Sequence, residues 1–386
     1  MKKNIAVITS SRADYGLIKN LLFLISAHDD FDLKLFVTGM HLSKRYGLTY
    51  QEILKDKIDI YKKIDINLIS DDPLTLSSSI SIGIKEFSKA FKRLKPDLLI
   101  VLGDRFELLS AVIPASFENM PIAHIHGGEA TEGVLDEAVR HSITKFSHIH
   151  FVSSEIYRKR VIQLGENPSN VFNVGGLGID AIATTNLLTK KEIQKKLKIK
   201  FSEKSLIVTY HPVTLQRKST QKDLSELILS LENLKDITLI ITLPNSDLDN
   251  LKIISSLKSF SKKNPNVYLF KSLGQLNYFS LLSIVDGVIG NSSSGLLEVP
   301  YFKKGTINIG DRQKGRLKAN SIIDCKPNSK SIIKAIKTLY SIEFQKELKN
   351  VKSPYGNKGA SQKIMEIIKQ INLTNLIQKK FYDINN

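Results

Sequence analysis

Short apolar segments alternate with longer amphipathic stretches along almost the whole chain. The apolar segments have the length of strands, and in the longer stretches apolar residues recur with helical spacing. This alternation predicts an α/β protein with doubly wound sheets. In the first half, the predicted strands are residues 5–9, 33–38, 98–102, 122–126 and 149–152, and the predicted helices include residues 15–26, 80–94 and 106–118.

The second half repeats this alternation, so we expect two Rossmann-like domains. The 386 residues are also about twice the length of a typical domain. A glycine-containing segment near residue 175 precedes a lysine-rich polar stretch, and we place the domain boundary there. The predicted domains are residues 1–177, residues 178–360, and a C-terminal segment, residues 361–386, predicted to form a helix that packs back on the first domain. The predicted strands of the second half are residues 206–210, 238–242, 267–270, 287–289 and 306–309.

Basic side chains exceed acidic ones by 18. Such an excess is typical of proteins that bind nucleic acids. Here, however, the lysines are scattered, do not interleave with aromatic residues, and accompany no zinc-finger or RNA-recognition signature. We therefore predict a generally basic surface that attracts a diphosphate, and no nucleic-acid partner. A non-catalytic nucleic-acid-binding protein is the competing hypothesis.

Two further features concern the cellular compartment. No apolar run approaches the roughly 20 residues that a membrane-spanning helix needs, and the short apolar start resembles a strand more than a signal peptide. Cys325 is the only cysteine, so no internal disulfide can form and a reducing compartment is favoured. These features predict a soluble protein of the cytoplasm without a membrane partner.

Ligands of doubly wound sheets bind beyond the carboxyl ends of the strands, and two such domains are expected to face each other across a cleft. After the first strand, Ser11 and Asp14 have capping-box spacing, and backbone amides at a helix start can receive an anion. Arg12 adds a guanidinium suited to a phosphate or a carboxylate. An ordinary capped helix with a surface arginine is the alternative, and the loop by itself favours it.

Polar residues also follow two very apolar strands of the first half. Asp104 and Arg105 form either an ion pair that holds a turn or a catalytic and phosphate-binding pair. Two-residue alternation predicts that His124 and His126 share one strand face. The glycine pair after them permits close approach of a ligand, and Glu129 is predicted to be an exposed carboxylate on that loop.

The first half contains enough histidines to form a metal site. His124 and His126 would need further ligands from His141, His148 or His150. No HExxH motif or equivalent ligand spacing occurs, so we predict that these histidines form hydrogen bonds and that no metal is bound.

Asp136 and Arg140 lie four residues apart on a predicted helix, where a solvated ion pair is the ordinary interpretation. The acids Asp104, Glu129 and Asp136, however, follow successive strands of one domain. Carboxylates gathered in a cleft raise each other's pKa and can then exchange protons near neutral pH. This grouping favours a catalytic interpretation.

In the second half, His211 is followed by a proline that ends the strand, which places this histidine at the domain edge. There it can donate to a phosphate or carry a proton, or serve a structural role. A later loop of small and hydroxyl residues before a helix predicts a phosphate cradle, although no Walker or GxGxxG motif occurs. Glu298 is predicted to accept hydrogen bonds from ribose hydroxyls. The predicted phosphate contacts come from Asn291, Ser292, Ser293 and Ser294 and from the cations Arg312, Lys314 and Arg316.

Taken together, these segments resemble the hydrolysing UDP-N-acetylglucosamine 2-epimerases of sialic-acid synthesis. The resemblance runs in order from near residue 2 to about residue 370, and its motifs are specific as a set. The segments are Ser11-Arg12-Ala13-Asp14-Tyr15, Gly103-Asp104-Arg105, residues 124–129, residues 136–141, His211-Pro212-Val213-Thr214, residues 290–295 and residues 310–316.

The resemblance implies two Rossmann-like domains of the glycosyltransferase-B type around a deep cleft. It implies removal of the proton at sugar carbon 2, loss of UDP to give a 2-acetamidoglucal, and addition of water to give N-acetylmannosamine, with no nicotinamide, other cofactor or metal. It also implies a homo-oligomer, a dimer or a tetramer. By motif, the catalytic positions are Asp104, Asp136, His211 and Arg105, and the UDP-binding positions are Ser11, Arg12, Asn291, Ser292, Ser293, Ser294, Glu298, Arg312 and Arg316, together with His211.

One departure and several alternatives accompany this resemblance. Some relatives have a catalytic glutamate where this chain has His126, so His126 or Glu129 is expected to do that work. Close relatives act on a UDP- or GDP-linked 2,4-diacetamido-trideoxy sugar of the legionaminic-acid route. A UDP-retaining epimerase or a retaining glycosyltransferase would also suit the fold.

Overall fold

The computed structural model describes residues 2–70, 72–131, 135–211, 217–243 and 250–384, with only the backbone of residues 217–220, 250–252 and 374. The chain forms two compact units. Unit 1 contains Met1–Ala181 and Tyr355–Asn386, and unit 2 contains Ile182–Pro354. The boundary placed after residue 177 from the sequence therefore lies at the start of a helix, Leu177–Thr184, along which the chain passes into unit 2.

The sheet of unit 1 has seven parallel strands: β1 (Lys3–Thr9), β2 (Phe31–Thr38), β3 (Ile60–Ile64), β4 (Leu98–Leu102), β5 (Ile122–Ile125), β6 (Ile149–Val152) and β7 (Val171–Asn173). Their order across the sheet is β3-β2-β1-β4-β5-β6-β7. The helices are α1 (Arg12–Ser26), α2 (Tyr50–Lys55), α3 (Pro73–Leu94), α4 (Leu109–Phe117), α5 (Leu135–Phe146), α6 (Glu155–Gln163) and α7 (Leu177–Thr184), and short 3₁₀ helices span Gly39–Leu42, Lys44–Tyr46, Phe106–Leu108 and Pro168–Asn170.

Helices cover both faces of this sheet, which explains why its central strands are apolar at consecutive positions. In β1, Ile5 and Val7 belong to the core shared with α1, whereas Ala6 and Ile8 belong to the opposite core with α3 and α4. Successive side chains of a strand point to opposite faces, so a strand buried on both sides needs apolar residues at every position.

Unit 2 has a six-stranded parallel sheet: β8 (Lys204–Thr209), β9 (Ile237–Thr242), β10 (Val267–Phe270), β11 (Gly287–Gly290), β12 (Gly305–Ile309) and β13 (Ile322–Cys325). Its order is β10-β9-β8-β11-β12-β13. The helices are α8 (Lys190–Leu197), α9 (Arg217–Glu232), α10 (Asn250–Lys263), α11 (Gly274–Ile284), α12 (Ser294–Leu297), α13 (Ser329–Leu339) and α14 (Ile342–Leu348), with a 3₁₀ helix at Val299–Phe302.

The last helix, α15 (Ala360–Gln370), belongs to unit 1 although unit 2 precedes it in the chain. Its apolar residues Ile364, Met365 and Ile368 are buried in the core that also contains the apolar face of α1. The 3₁₀ helix Leu373–Leu376 follows it. None of the described helices is long and apolar enough to cross a membrane.

The α/β class and every strand predicted from the sequence are confirmed, with ends that differ by at most two residues. The helix predicted at residues 106–118 is a 3₁₀ turn followed by α4. Three strands were not predicted, namely β3, β7 and β13, and each lies at the edge of its sheet. Edge strands are partly exposed and carry polar residues, such as the two lysines of β3, so they lack a continuous apolar run.

Candidate functional site

The strand orders locate one candidate position in each unit. In a doubly wound sheet, ligands bind where neighbouring strands connect in opposite directions, beyond their carboxyl ends. In unit 1 this switch lies between β1 and β4, and in unit 2 between β8 and β11. The loops that follow these four strands contain most of the motifs found in the sequence.

The loop after β1 is held together by Asp14. The predicted capping box is present, with Ser11 as the N-cap of α1. The backbone amides of Ser10 and Ser11 donate to the Asp14 carboxylate at 2.8 and 2.7 Å, and the Ser11 hydroxyl donates to it at 2.8 Å. These donors, considered above as an anion receptor, are thus engaged within the loop. Arg12 has a half-exposed side chain, with Nη1 3.9 Å from Glu52.

Arg140 is the centre of the polar cluster in unit 1. Its side chain is buried, and its guanidinium contacts the carboxylates of Asp104 and Glu137, the latter at 2.7 Å. It also donates to the Glu129 carbonyl at 2.9 Å and to Thr131 Oγ1 at 3.2 Å. Burial by itself would lower the pKa of Arg140, but the neighbouring Asp104 carboxylate raises it above its ordinary value. The positively charged guanidinium of Arg140 therefore lies between the carboxylates of Asp104 and Glu137.

This arrangement corrects the interpretation of Asp136 and Arg140 as a solvated ion pair. Arg140 is 1% exposed, and the acids in direct contact with it are Asp104 and Glu137. Asp136 lies on the exposed side of α5 and contributes to the negative potential at Arg105. A sequence signal for Arg140 existed, because it falls on the buried stripe of α5 with Val139 and Ile143.

Arg105 is fixed by a carboxylate that the sequence did not single out. Glu107 is fully buried, and Arg105 Nη2 lies 2.6 Å from its Oε1, while Nε donates to the same carboxylate at 3.1 to 3.2 Å. Burial raises the pKa of Glu107, an effect that the Arg105 charge opposes. Gly39 leaves room for this pair, since a Cβ there would lie 2.9 Å from Glu107 Oε1. The arginine is therefore oriented before any ligand binds.

His124 and His126 do not share a strand face, contrary to the prediction. Strand β5 ends at Ile125, and His126 adopts a left-handed backbone with φ +64°. His124 is buried, and burial lowers its pKa to about 3, so the ring is neutral. Its Nε2 lies 2.8 Å from the Gly103 carbonyl, which can only accept, and Nδ1 lies 3.1 Å from Thr144 Oγ1. His124 thus anchors the loop that carries Asp104.

His126 and Glu129 form a separate dyad. His126 Nε2 accepts the Leu177 amide hydrogen at 3.2 Å, which leaves the ring proton of the neutral form on Nδ1, 3.7 Å from Glu129 Oε1. Glu129 also accepts a hydrogen bond from the Ser153 hydroxyl at 3.2 Å. The prediction that Glu129 is exposed was wrong, because it is 7% exposed and these contacts turn it inward.

The other histidines considered above as metal ligands have individual partners. His141 Nε2 lies 3.2 Å from Glu137, His148 Nδ1 accepts the Ile122 amide hydrogen at 3.2 Å, and His150 Nε2 lies 2.9 Å from Glu166. Across the described ranges, no group of three or more His, Cys, Asp or Glu side chains could hold a metal ion.

In unit 2, His211 and Asn291 join the loops after β8 and β11. The side-chain oxygen of Asn291 accepts a hydrogen bond from the backbone amide of His211 at 2.7 Å, and the side-chain nitrogen of Asn291 donates to the backbone carbonyl of His211 at 2.8 Å. The backbone carbonyl of Asn291 accepts hydrogen bonds from Arg312 Nη1 at 3.0 Å and from Gln313 Nε2 at 2.9 Å. Burial lowers the pKa of His211 to about 4, with a smaller effect from Arg312, so this ring is neutral at neutral pH. The motif residues 212–214 lie outside the described part of the chain.

Gly290 is required where β11 passes β8. Its φ is +143°, and a Cβ at this position would lie 1.8 Å from the Thr209 carbonyl oxygen. No other residue type fits without displacing the backbone.

The serines after Asn291 precede only a short helix. The predicted cradle lies before helix α12, which has only four residues, Ser294–Leu297, so the helix dipole there is small. Ser292 and Ser293 remain partly exposed, whereas the Ser294 hydroxyl donates to Glu298 at 2.5 Å and lies 2.5 Å from the Tyr278 hydroxyl. Burial raises the pKa of Glu298 to about 7. Arg316 lies in the loop of Arg312, with its amide 3.3 Å from the Gln313 carbonyl.

Apart from Ser11 and Arg12, which lie at the start of α1, the predicted residues occur in two groups, each within one unit. Unit 1 contains Asp104, Arg105, His126, Glu129 and Asp136. The group in unit 2 consists of His211, Asn291, Ser292, Ser293, Ser294, Glu298, Arg312 and Arg316. The sequence analysis considered Arg140 only as a partner of Asp136, whereas the structure places it against Asp104. It did not single out four further residues that contact members of these groups or Arg140, namely Glu107, Glu137, Tyr278 and Gln313.

Comparison with known proteins gives close relatives over the full length. A sequence profile described as UDP-N-acetylglucosamine 2-epimerase matches residues 24–369. The chain is 43% identical to the GDP/UDP-N,N′-diacetylbacillosamine 2-epimerase (hydrolyzing) of Campylobacter jejuni subsp. jejuni serotype O:2, over 99% of this chain and 100% of that protein. It is 38% identical to the polysialic acid biosynthesis protein P7 of Escherichia coli, over 99% and 98%. It is 31% identical to the UDP-N,N′-diacetylbacillosamine 2-epimerase (hydrolyzing) of Legionella pneumophila, over 98% and 99%.

Solved structures share the fold at lower identity. A structure of S. aureus MnaA with UDP matches with a TM-score of 0.77 at 19% identity, covering 99% of this chain and 100% of that chain. The UDP-GlcNAc 2-epimerase from Neisseria meningitidis, bound to UDP-GlcNAc, matches with a TM-score of 0.75 at 19% identity, covering 95% and 100%. These matches confirm the α/β class with Rossmann-like units of the glycosyltransferase-B type.

Proposed function

The chain belongs to the UDP-N-acetylglucosamine 2-epimerase family, among its hydrolysing members, and we propose that its substrate is a nucleotide-linked N,N′-diacetylbacillosamine. The products would be the nucleoside diphosphate and the free 2,4-diacetamido-trideoxy sugar with inverted carbon 2. The observation that supports this choice of sugar is the 43% identity to the C. jejuni enzyme across the whole chain. The L. pneumophila relative carries the same sugar in its name.

The proposed reaction is an elimination followed by hydration. A base takes the proton from carbon 2, the bond from carbon 1 to the diphosphate oxygen breaks, and its electron pair leaves with the diphosphate. A double bond forms between carbons 1 and 2. Water then adds at carbon 1, and carbon 2 receives a proton on the opposite face. The proton beside the acetal carbon is weakly acidic, so both a positioned base and a stabilised leaving group are needed.

We assign proton transfer to the group in unit 1. Asp104 and Asp136 are the candidate bases of this group, and the guanidinium of Arg140 fixes the position of the Asp104 carboxylate. His126 or Glu129 would take the role of the glutamate that some relatives have at the position of His126. Arg105, oriented by Glu107, would neutralise charge on the departing diphosphate.

We assign the nucleotide to unit 2 and, by the family motif, to Arg12 of unit 1, because the amide and hydroxyl of Ser11 are engaged with Asp14. The neutral ring of His211 can donate one hydrogen bond to a phosphate oxygen. Arg312 and Arg316 supply positive charge in the following loop, and Ser292 and Ser293 supply hydroxyls beside Asn291. The Glu298 carboxylate would accept hydrogen bonds from the ribose hydroxyls, which are common to UDP and GDP.

The second candidate substrate is UDP-N-acetylglucosamine, which would give N-acetylmannosamine. The description of the matching profile and the ligand of the N. meningitidis structure favour it. This reaction uses the same bonds and differs only in the groups at carbons 4 and 6 of the sugar.

The substrate prediction can be checked by proton NMR in D2O. We expect UDP- or GDP-linked N,N′-diacetylbacillosamine to be hydrolysed with a kcat/KM at least about tenfold above that for UDP-N-acetylglucosamine, a difference of about 1.4 kcal/mol. The released sugar should carry deuterium at carbon 2. A preference for UDP-N-acetylglucosamine would contradict the choice of sugar, and a product without deuterium would contradict the elimination route.

The remaining expectations follow from the family and the substrate class. We propose a cytoplasmic enzyme that forms a homo-oligomer and acts on a small-molecule nucleotide sugar, with no nucleic acid or membrane as a partner.

Binding of a nucleotide sugar should depend on pH through Glu298. The pKa of this carboxyl is raised to about 7 by burial, so the group that accepts from the ribose is protonated below that pH. Apparent affinity should therefore be full above pH 7 and fall about tenfold for each pH unit below it, as the competent fraction falls. UDP-glucose is the suitable probe for calorimetry, because a diphosphate diester has no second ionisation near neutral pH. Glu298→Gln should bind weakly at pH 8 and lose this pH dependence; an unchanged profile in this variant would assign the titration to another group.

A further inference from the structure

A segment beyond α15, residues 379–382, is fastened to unit 1 by a set of polar contacts that the proposed chemistry does not use. We call this segment the clasp. The ammonium of Lys379 has three hydrogens and three acceptors, namely Glu166 Oε2 and the carbonyls of Lys145 and Ser147, each at 2.7 Å. Its side chain is 24% exposed. A lysine whose three ammonium hydrogens all have acceptors is typical of a specific structural contact and not of a solvated surface charge.

Two of these acceptors lie at the carboxyl end of α5. Lys145 is in the last turn of that helix, and Ser147 follows it directly. The last carbonyls of a helix have no partner within the helix, and a cation placed there also opposes the negative end of the helix dipole. Lys379 therefore satisfies and fixes the end of α5.

The third acceptor, Glu166, ties the clasp to β6. Glu166 is 2% exposed and also contacts Lys145 Nζ at 2.6 Å and His150 Nε2 at 2.9 Å. Burial would raise the pKa of Glu166, but the hydrogen bond from His150 and the two ammonium groups lower it to about 2. The carboxylate is therefore ionised and holds three donors from three segments of unit 1.

Contacts around Gly165 complete the clasp, in which Phe381 itself is 66% exposed. The Tyr382 amide donates to the Gly165 carbonyl at 2.9 Å, and the ring of Phe381 occupies the space where a Cβ of residue 165 would stand, 2.2 Å away. Lys145 Nζ lies 5.2 Å from the centre of the same ring. The Tyr382 amide, the Phe381 ring and the Lys145 ammonium thus fix the position of this segment along unit 1.

The clasp is connected to the candidate site through α5 and the sheet. Helix α5 carries Arg140 two turns before the end that Lys379 holds, and Arg140 contacts Asp104. On the sheet, His150 is the register partner of His124, which anchors the Gly103 carbonyl next to Asp104. A shift of α5 along its axis would therefore move Arg140 relative to Asp104, whose own loop is anchored separately.

We propose that Lys379 is a positioning residue for turnover, which holds α5 in the register that places Arg140 against Asp104. This inference rests on the proposed function in that Asp104 and α5 are taken to act in proton transfer. Lys379 itself acts through the helix and Glu166, and not on the substrate.

The test compares Lys379→Met with Lys380→Met in the full chain. Lys380 is exposed and adjacent, so its replacement controls for the loss of one charge from this segment. We expect Lys379→Met to lower kcat about tenfold or more, since small misplacements of catalytic groups are costly, with KM within about twofold of the wild type. Lys379→Arg, which keeps a cation and several donors, should recover part of kcat. Amide exchange at the end of α5 should accelerate in Lys379→Met only.

The outcomes separate this inference from the proposed function. Wild-type kcat in folded Lys379→Met overturns the inference, and so does an equal loss in Lys380→Met. If Lys379→Met does not fold, Phe381→Ala replaces it, because it loosens the same clasp without leaving a buried charge; unchanged kcat in that variant is then the overturning result. Retention of turnover by Asp104→Asn, measured in parallel, would contradict the role of Asp104 in the proposed function, whereas loss of turnover in Asp104→Asn together with wild-type kcat in Lys379→Met would contradict only the inference about Lys379.

Discussion

Asp104→Asn should lower kcat by about 10³-fold, within the range that general acid–base groups contribute, while the folded structure persists. Asparagine keeps the shape and can still accept one hydrogen bond from Arg140, but it cannot take up a proton. The loss should appear in kcat and in kcat/KM alike, because the carboxylate is needed only when the proton moves. The measurement is release of the nucleoside diphosphate at saturating substrate, for whichever sugar nucleotide proves to be turned over.

Asp59→Asn is the matched control for this variant. Asp59 is an exposed acid of the same unit, immediately before β3, and it lies away from the loops after β1 and β4. Its replacement should leave kcat within about twofold, since surface changes away from the site rarely matter. Asp104→Asn with a rate near that of the wild type would remove Asp104 from the mechanism and leave Asp136 or the dyad of His126 and Glu129 as the base.

Arg140→Met should destabilise unit 1 by about 3 kcal/mol, the lower end of the cost of removing one partner from a buried ion pair. The lower end applies because Asp104 and Glu137 are 28% and 30% exposed and can recover some hydration. The Glu129 carbonyl would also lose its donor. Urea unfolding followed by circular dichroism should show an earlier transition, and kcat should fall because the Asp104 carboxylate is no longer held.

Two comparisons make this result specific to the cluster. Arg93→Met removes an exposed arginine from the last turn of α3 and should change stability by less than about 0.5 kcal/mol. Arg140→Lys keeps the charge but lacks the planar fork that reaches Asp104, Glu137 and a carbonyl together, so it should fall between the wild type and Arg140→Met. Equal stability of Arg140→Met and Arg93→Met would show that the cluster contributes nothing to folding.

These variants also separate two roles within the unit 1 group. Asp104 is expected to be chemically necessary and structurally replaceable, whereas Arg140 is expected to be structurally necessary because it is buried and has four acceptors. The carboxylates were first expected to raise each other's pKa. In the structure, the Arg140 guanidinium lies between the carboxylates of Asp104 and Glu137.

The sequence by itself determined the α/β class, the position of every central strand and the loops that contain the candidate residues. Central strands of a parallel sheet are covered on both faces, so they appear as continuous apolar runs that any compact fold must bury. The motifs after β1, β4, β5, β8 and β11 could be located for the same reason, since each directly follows such a run. Edge strands such as β3 lack this signal because one side of them meets water.

Only the tertiary structure decided which partner each polar side chain has. Asp104 and Arg140 are 36 residues apart, and Glu166 and Lys379 are separated by more than 200, so no spacing rule connects them. Their contact depends on strand order and on a chain segment that returns to unit 1 after unit 2. Burial of Glu129 and the left-handed backbone of His126 likewise depend on neighbours supplied by other elements, namely Ser153 and Leu177. Apolar burial follows a periodic pattern within each element, whereas polar pairing is a property of elements brought together.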